Sequence, residues 1–447
     1  MSKLPSRKPD RPPARGPADA RYWDPRDLEN ELRRTFQICH ECRMCATYCG
    51  AFPLLFQAVD RDVDRGAQGA EELGGELFES VSDHCWQCKL CFVKCPYTVD
   101  DGAPELVDFP RLMARVKAQR ARRQGVAWVD QLLGEPQWIG WLGAGKPAPF
   151  ANLVSANRLV RRAAEKVTGI SSEFPLPPMA ETNVFRWFGR HVPDQDAGRA
   201  GEVALFPTCY AEFNFADVAV ASVQVLEKNG LRVWWPEGLT CCGMPNLDGG
   251  DVNAATEKMR QNVDVLWPLV RRGMKVVIPG PTCGYLMKKE LSTYLDDSRA
   301  TEVASATVDL MELLERKRRD KTLNTHFPTS LGKVAYHAAC HLRAQKMGVP
   351  GARVLSAVPG TEVRIIERCS AVDGTWGMKA QFYQEGARFG KRLVASIVEQ
   401  ESALVVSDCS LAGLRILKET GKQPLHPVQA LGEAYGLPAL GRLESVT

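Results

Sequence analysis

Short apolar runs alternate with longer stretches of mixed polarity through the second half of the chain. From Gly201 onward, runs rich in β-branched and other apolar residues lie at 203–206, 276–278 and 404–406. Each run has the length of a strand, and the segments between them have the length of helices. Because strands that alternate with helices are typical of parallel sheets, this half of the sequence predicts α/β units.

The first part of the chain has a different pattern. Amphipathic stretches at 27–34 and 109–118 have helical spacing and flank two loops that are rich in cysteine. Between this region and the α/β half, 124–199 mixes tryptophan-rich and basic amphipathic pieces. It contains Pro175, Pro177 and Pro178, which cannot continue a helix. We interpret 124–199 as a helical and irregular connector.

Eight of the 15 cysteines form two copies of one motif. The copies are Cys39-x2-Cys42-x2-Cys45-x3-Cys49 and Cys85-x2-Cys88-x2-Cys91-x3-Cys95-Pro96, and the second matches the bacterial dicluster ferredoxin motif through its proline. Three thiolates on a tight loop bind three irons of one cube, whereas the fourth cysteine ligates the other cluster. The motif therefore predicts two 4Fe-4S clusters, one on Cys39, Cys42, Cys45 and Cys95 and one on Cys85, Cys88, Cys91 and Cys49.

Structural zinc and a disulfide framework are the alternatives to this interpretation. Zinc sites usually use paired C-x2-C units separated by a longer span, which the triple spacing fits poorly. A disulfide framework is typical of small exported chains, whereas this one has 447 residues, an odd number of cysteines and no recognisable export signal. The double motif therefore favours clusters.

The α/β half contains an internal repeat. Gly201-Glu202-Val203-Ala204-x4-Cys209 matches Gly332-Lys333-Val334-Ala335-x4-Cys340, Cys241-Cys242-Gly243-Met244 corresponds to Cys369-Ser370, and Cys283 corresponds to Cys409. The matching cysteines are all about 130 residues apart, as expected for a repeated unit. The sequence thus predicts two α/β units related by pseudo-twofold symmetry, at 200–325 and 326–447.

The cysteines of each unit follow predicted strands, where open α/β sheets place their ligand sites. Cys241 and Cys242 would face opposite ways in an extended chain, so both thiols reach one site only through a turn. Gly243 supplies the backbone freedom for that turn. A cluster here would be held by residues that are far apart in sequence.

Charge and hydropathy restrict the partners. The chain has 57 basic and 53 acidic residues, and its net charge of +4 resides in the proline-rich stretch 1–21, which we predict to be a disordered basic tail. Because the remainder is neutral, nucleic-acid binding is not expected. No run of 18 apolar residues occurs, so we expect a cytoplasmic protein whose membrane contact is at most peripheral, at the inner face of the cell membrane.

Peripheral membrane contact would use the basic stretch 111–123 together with Trp138, Trp141 and Leu142. A solvated basic helix is the simpler explanation of 111–123.

The order of these motifs resembles the iron-sulfur subunits of anaerobic glycerol-3-phosphate dehydrogenase and glycolate oxidase. It also resembles heterodisulfide reductase subunits B and C fused in one chain. The resemblance covers nearly all of 30–435 and implies a mostly helical, ferredoxin-like dicluster domain at 22–123 that relays electrons to two CCG units. In heterodisulfide reductase such units hold unusual non-cubane clusters, and the resemblance implies Cys209, Cys241, Cys242 and Cys283 as the ligands in the first unit.

The chain departs from that family pattern in both units. The terminal C-x2-C is incomplete after Cys283 and after Cys409, and Ser370 stands where the CC pair would have its second cysteine. We therefore expect one additional iron-sulfur cluster at most, bound mainly by the first unit.

The second unit supplies further candidates. Cys340, Cys369 and Cys409 are potential contributors to the additional cluster, and we include Cys340 among the predicted metal ligands. The alternative for Cys369 and Cys409 is a buried, unreactive thiol. His337 and His341 flank Cys340 and are either ligands, proton carriers or structural residues.

The predicted function is electron transfer. The sequence has no G-x-G-x-x-G turn, P-loop or nucleophile–base arrangement, so electrons must come from a partner. The resemblance implies an iron-sulfur subunit that accepts electrons from a flavoprotein dehydrogenase and passes them to quinone or another acceptor. The alternatives are a heterodisulfide reductase-like enzyme that reduces a disulfide or thiol, an electron donor to a rubrerythrin-type peroxide-defence system, and an iron or oxygen sensor. No recognisable DNA-binding element supports the sensor.

Overall fold

The computed structural model describes residues 7–372 and 374–439 of the chain. Helices dominate its first half, and the described residues before 200 contain no β-strand. Asp24 and Asp108 accept hydrogen bonds from the first turns of helices that begin with Pro25 and Phe109-Pro110, so residues suited to helix N-termini set both starts. The helices around the cysteine motifs are α1 (Pro25–Cys42), α2 (Ala51–Asp64), α3 (Gly75–Asp83), α4 (Leu90–Lys94) and α5 (Phe109–Gln124).

Five helices form the connector. They are α6 (Trp128–Leu133), α7 (Pro136–Gly143), α8 (Ala148–Ala156), α9 (Arg158–Thr168) and α10 (Val184–Arg190). Short 3-10 helices lie elsewhere, at Ala20–Trp23, Ala70–Glu72, Val99–Asp101 and Trp376–Met378.

A parallel sheet of four strands, in the order β2-β1-β3-β4, forms the centre of the first α/β unit. Val203, Ala204 and Leu205 of β1 are buried, as expected of a parallel strand with helices on both faces. The elements are β1 (Glu202–Leu205), α11 (Cys209–Phe213), α12 (Ala216–Lys228), β2 (Arg232–Trp234), α13 (Met244–Gly249), α14 (Val252–Arg271), β3 (Lys275–Ile278), α15 (Pro281–Tyr285), a π-helical turn (Leu286–Glu290), α16 (Leu291–Tyr294), α17 (Ser298–Ala306), β4 (Thr307–Asp309) and α18 (Leu310–Arg319).

The second α/β unit repeats this arrangement with parallel strands in the order β6-β5-β7. A parallel bridge between Val406 and Leu425 lies beside β7, at the position that β4 has beside β3. The predictions of a mostly helical N-terminal region and of two repeated α/β units after it are therefore confirmed. The elements are β5 (Lys333–His337), α19 (Cys340–Ala344), α20 (Pro350–Leu355), β6 (Glu362–Ile366), α21 (Ala380–Glu399), β7 (Leu404–Ser407), α22 (Ser410–Thr420) and α23 (Pro427–Ala434).

Aromatic side chains pack the second unit against the second cysteine motif. The ring of Trp86 lies 5.1 Å from that of Trp376 and 4.8 Å from that of Phe389, measured between centroids. Trp376 also donates a hydrogen bond to the carbonyl of Asp83 at 2.7 Å. The cysteine loop around Trp86 is therefore part of a hydrophobic core shared by both ends of the chain.

Residues 7–21 follow the surface of the folded chain, which differs from the disordered tail predicted for 1–21. Ala14 is buried, and Gly16 lies so close to Thr293 that a Cβ atom would come within 2.0 Å of the Thr293 carbonyl oxygen. Arg7 donates a hydrogen bond to Glu41 at 3.0 Å. Small residues and arginines with internal partners account for the difference; residues 1–6 lie outside the described part.

Helix α5 also differs from the solvated basic helix that its composition suggested. Arg111, Arg115 and Lys117 are buried between the N-terminal helices and the first α/β unit. Arg111 pairs with Glu290 at 2.8 Å, and Arg115 donates to the carbonyl of Tyr22 at 2.9 Å. Because these three cations are buried inside the protein, they do not form a membrane-binding face.

Candidate iron-sulfur sites

The first thiol set lies at the end of α1. Cys39 and Cys42 occupy its last turn, Arg43 adopts a left-handed φ of 50°, and the chain then turns back to Cys45. Cys95, from the second motif, lies with these three cysteines around one small cavity lined otherwise by apolar side chains such as Phe52 and Phe56. This is the crossed grouping that the spacing predicts, although the identity of the bound group remains a prediction.

The second thiol set groups Cys85, Cys88 and Cys91 with Cys49. The Cys91 thiol interacts electrostatically with all three and also with Cys45 of the first set. Gln87 and Lys89 both have left-handed φ angles, of 58° and 61°, which fold the loop tightly around Cys88. The two thiol sets are therefore neighbours.

The donor chemistry of both sets fits iron-sulfur clusters. Burial and crowding by other thiols raise the pKa of Cys39, Cys49 and Cys91 well above the usual range, and that of Cys45 to about 12. A thiolate ligand must be deprotonated, and positively charged iron supplies the compensation that these buried groups lack. In 7–372 and 374–439, no three His, Cys, Asp or Glu side chains are placed to hold a single metal ion.

A third site is formed at the strand ends of the first α/β unit. Cys209 follows β1, Cys241 and Cys242 precede α13, and Cys283 follows β3. The Cys241 thiol contacts those of Cys209 and Cys242, and Cys242 contacts Cys283. The four residues line a cavity of about 90 Å³, so the structure brings together the thiols that sequence spacing left far apart.

Gly243 has the role expected from the sequence. Its φ is 96°, and an added Cβ atom would lie 2.9 Å from the carbonyl oxygen of Ala255. This left-handed turn directs both adjacent thiols to one cavity. Thr208, just before Cys209, also has a left-handed φ, of 71°.

The connector supports this site, a role the sequence did not indicate. Gln137 of α7 accepts a hydrogen bond from the Cys241 amide at 3.0 Å and donates one to the Leu239 carbonyl at 3.2 Å. On the other side, Asn262 donates to the Cys241 carbonyl at 3.1 Å. Two amide side chains from different segments therefore fix the CC turn, and no spacing rule identifies such partners.

The second unit distributes its cysteines between two places. The Cys340 and Cys369 sulfur atoms are 3.7 Å apart, and Cys369 packs against the core that contains Cys49. Cys409 instead lines the cavity of the first-unit thiols. The structure thus places Cys409 with the first-unit site, and Cys340 with Cys369 beside the second ferredoxin-type motif.

The cysteine loop of the second unit has the same left-handed turn as that of the first unit, although its turn residue is not glycine. Ala371 has a φ of 51°, although it carries a Cβ atom, and its amide donates to Cys369 at 3.2 Å. Ala371 is two residues after Cys369, as Gly243 is two residues after Cys241. The repeat therefore extends to the backbone conformation of the loop.

Both candidate histidines are buried and hydrogen bonded. His341 donates from Nε2 to the Gln87 carbonyl at 3.0 Å, and its Nδ1 lies 2.9 Å from Thr282 Oγ1. His337 similarly contacts Ser407 and the Arg368 carbonyl. Burial lowers the pKa of each ring to about 4. With both nitrogens engaged, His341 joins the second cysteine motif to the two α/β units.

Three thiol groups, one of them at the strand ends of a duplicated parallel α/β unit, define a cysteine-rich metal-cofactor protein. The profile of the cysteine-rich domain called CCG matches residues 203–288 and 334–415. The chain belongs to the family of CCG-domain iron-sulfur proteins.

Some relatives match most of the chain, and others match less than half of it. The C subunit of the anaerobic glycerol-3-phosphate dehydrogenase of Escherichia coli (strain K12) is 26% identical over 407 residues, which are 90% of this chain and 98% of the relative. Lactate utilization protein A of Geobacillus kaustophilus is 30% identical over 189 residues, 40% of this chain and 75% of the relative. Lactate utilization protein A of Bacillus licheniformis is 27% identical over 219 residues, which are 46% of this chain and 87% of the relative.

Proposed function

We propose that this chain is the iron-sulfur electron-transfer subunit of a flavin-dependent dehydrogenase complex. Its electrons come from a flavoprotein dehydrogenase and leave to quinone or another acceptor. The proposal assigns a 4Fe-4S cluster to each N-terminal thiol set and one further cluster to the first α/β unit. The similarity to a dehydrogenase subunit over nearly the whole chain supports an electron-transfer role in an oxidoreductase.

The observation that carries this proposal is the continuity of the thiol sites inside one fold. Cys45 of the first set neighbours Cys91 of the second, and Cys49 of the second set neighbours Cys369. His341 then connects the second motif with Thr282, which adjoins Cys283. Iron-sulfur clusters held at these thiols would supply one-electron carriers. The residues of the chain bury the thiols, orient them and exclude water.

A cleft supports a small-molecule acceptor. It has a volume of about 490 Å³, lies between α12 and α22, and reaches Cys409 at the edge of the first-unit cavity. Its described lining contains apolar residues such as Phe215 and Leu414 and two acidic residues, Glu181 and Asp217, but neither lysine nor arginine. A neutral ring compound suits this lining better than a carboxylate or phosphate.

Metal analysis and spectroscopy of anaerobically purified protein test the proposal. We expect about twelve irons with matching acid-labile sulfide if the three assignments hold, since a 4Fe-4S cluster contains four irons. Cys88→Ser should remove one reduced-state cubane signal, whereas Cys241→Ser should spare both cubanes and block transfer to the acceptor. About eight irons, with unchanged acceptor reduction in Cys241→Ser, would restrict the electron path to the N-terminal domain.

We also propose that the connector makes peripheral membrane contact. In the described residues, no helix is long and apolar enough to cross a bilayer. Large apolar side chains are nevertheless exposed along α6 to α9, a set that we call the connector surface: Trp128, Trp138, Trp141, Leu142, Phe150, Leu153 and Leu159. Arg158, Arg162 and Lys166 are exposed on α9. Aromatic residues next to cations favour an anionic lipid surface.

A further inference from the structure

Five charged side chains from five parts of the chain meet beside the second cysteine motif. They form what we call the buried charge cluster: Lys89 of the motif loop, Lys117 of α5, Asp130 of α6, Asp248 of α13 and Lys379 before α21. Asp248 interacts electrostatically with the other four, and Lys117 interacts with both Asp248 and the Cys85 thiol. The cluster therefore lies between the second thiol set and the first-unit cavity, which Asp248 lines.

A close backbone contact places Lys117 there. Gly250 has a left-handed φ of 87°, and a Cβ atom on it would lie 2.5 Å from the Lys117 carbonyl oxygen. Helix α5 thus rests directly on the end of α13. Because Asp248 is only two residues before Gly250, this contact brings its carboxylate to the Lys117 side chain.

The buried charge cluster has more cations than carboxylates. Lys379 and Asp130 form an ion pair at 2.5 Å, whereas Lys89 donates to the neutral Gln87 amide oxygen at 2.7 Å. Within 7–372 and 374–439, Lys117 Nζ donates no hydrogen bond, although only 7% of the residue is exposed. Glu290 also interacts with Lys89, but it is already paired with Arg111. Asp248 is therefore left to balance two ammonium groups, so one positive charge is in excess.

The remaining carboxylate that interacts with Lys117 does not cancel this excess. That carboxylate is Asp83, which forms an ion pair with Arg120 at 2.6 Å. Burial lowers the pKa of Lys117, which reflects the cost of removing most of the water around an ammonium group. A buried, unbalanced cation of this kind indicates a negative partner that is bound nearby.

The second thiol set is the place where that partner would be. Gln87 joins the two features, because it accepts from Lys89 and donates to the Cys85 sulfur at 3.4 Å and to the Pro110 carbonyl at 3.0 Å. Four thiolates around an iron core carry net negative charge, which increases on reduction. A fixed positive charge next to them stabilises the reduced form.

We propose that Lys117, assisted by Lys89, raises the reduction potential of the iron centre held by Cys85, Cys88, Cys91 and Cys49. This inference rests on the proposed function, because it requires a cluster in that thiol set. Lys117 acts through its charge and does not bind the iron. The excess charge makes the second set the more easily reduced of the two N-terminal sites.

Anaerobic redox titration of the loaded protein, monitored by electron paramagnetic resonance, tests this role. In Lys117→Met we expect the equilibrium constant for reduction of one cubane to fall at least tenfold, which is about 59 mV for a one-electron couple. The other cubane should keep its potential. Lys117→Arg should keep the original value, because it retains the charge, and Arg123→Met, which removes an exposed cation from the same helix, should change neither.

Two results would overturn the inference. One is an unchanged potential in Lys117→Met with both clusters present; the other is an equal shift in Lys117→Arg, which would indicate altered packing instead of lost charge. If Lys117→Met does not fold, Lys89→Gln provides the same comparison. Failure of the unmodified chain to bind iron would instead refute the proposed function, so the two failures are distinguishable.

Discussion

His426 of the second α/β unit donates its Nε2 proton to the carbonyl of Pro279 in the first unit, at 2.9 Å. Its Nδ1 accepts from the Val428 amide at 3.2 Å, and the Gln429 side chain completes a capping box at the start of α23. Because Nδ1 accepts, the two bonds together require the neutral ring. Burial lowers the pKa of His426 to about 4, so this contact between the units depends on pH.

We expect the chain to lose stability in mild acid. A histidine in the unfolded chain titrates near pH 6.5, so the contribution of neutral His426 is complete above that pH and disappears as the pH falls towards 4. The difference corresponds to roughly 3 kcal/mol of unfolding free energy. Urea unfolding between pH 7.5 and 4 measures it, and His426→Asn, which keeps an N-cap residue without a titrating group, should flatten the decline.

His337 and His341 are also held neutral, so some decline should remain in His426→Asn. The exposed His326 provides the matched control, because His326→Asn should leave the pH profile unchanged. A profile of His426→Asn as steep as that of the unmodified chain would show that His426 does not contribute to acid sensitivity.

Gly243→Ala should damage the first-unit site selectively. The new Cβ atom would meet the Ala255 carbonyl oxygen at 2.9 Å, which must displace the turn that directs Cys241 and Cys242. We expect loss of iron attributable to this site, with both cubane signals retained. Gly421→Ala is the control, since Gly421 also has a left-handed φ, of 71°, but nothing within 4 Å of the added atom.

Comparing Gly243→Ala with Gly421→Ala separates the effect of backbone strain from the effect of the steric contact. Gly421→Ala should lower the unfolding free energy by about 1–2 kcal/mol through strain alone and leave the iron content intact. Equal iron content in Gly243→Ala and the unmodified protein would mean that the CC turn tolerates the contact.

Arg111→Leu should destabilise the protein strongly. Glu290 would remain buried without its 2.8 Å partner, a situation that typically costs about 3–5 kcal/mol. The double variant with Glu290→Leu should recover most of the loss, because it removes the stranded carboxylate. Denaturant unfolding provides the measurement.

An exposed ion pair provides the control for Arg111→Leu. Arg260→Leu breaks the surface contact between Arg260 and Glu257 and should change the unfolding free energy by less than about 1 kcal/mol. If Arg111→Leu were equally mild, the buried pair would have no stabilising role.

The connector surface predicts lipid binding that a pair of substitutions should abolish. Trp141→Ser with Leu142→Ser removes two side chains that are 71% and 69% exposed. In sedimentation with phosphatidylglycerol vesicles, the bound fraction should fall several-fold, and high salt should weaken what remains. Val398→Ser, at an exposed apolar position in α21, should bind as the unmodified chain does. Equal binding by the double variant would refute membrane contact by this surface.

Sequence patterns of a few residues correctly predicted the structural features that depend on local backbone geometry. The spacing of Cys39, Cys42 and Cys45 and the glycine after Cys242 describe turns of a few residues, and the structure contains those turns. The strand runs likewise form the parallel sheets of both α/β units. Residues that act across long separations were missed, because neither Gln137 nor Lys117 belongs to a motif.

Composition alone does not predict whether a side chain is buried, because packing against distant elements decides its exposure. The cations of α5 suggest a solvated surface, yet Arg115 is 1% exposed because the helix lies between two domains. Trp138 and Trp141, which the sequence offered for membrane contact together with those cations, are exposed even though most tryptophans are largely buried. In both cases the neighbouring elements, which come from distant sequence, determined the outcome.

The crossed thiol sets have a consequence for how the protein matures. Cys95 joins the group around Cys39, and Cys49 joins the group around Cys85, so each group is complete only when both loops have folded. Iron delivered during synthesis could bind to neither complete thiol set until the chain beyond Cys95 had left the ribosome. A defect that unfolds either loop should then leave both thiol sets without iron, whereas the loss of a single thiol, as in Cys88→Ser, should affect only the set to which that thiol belongs.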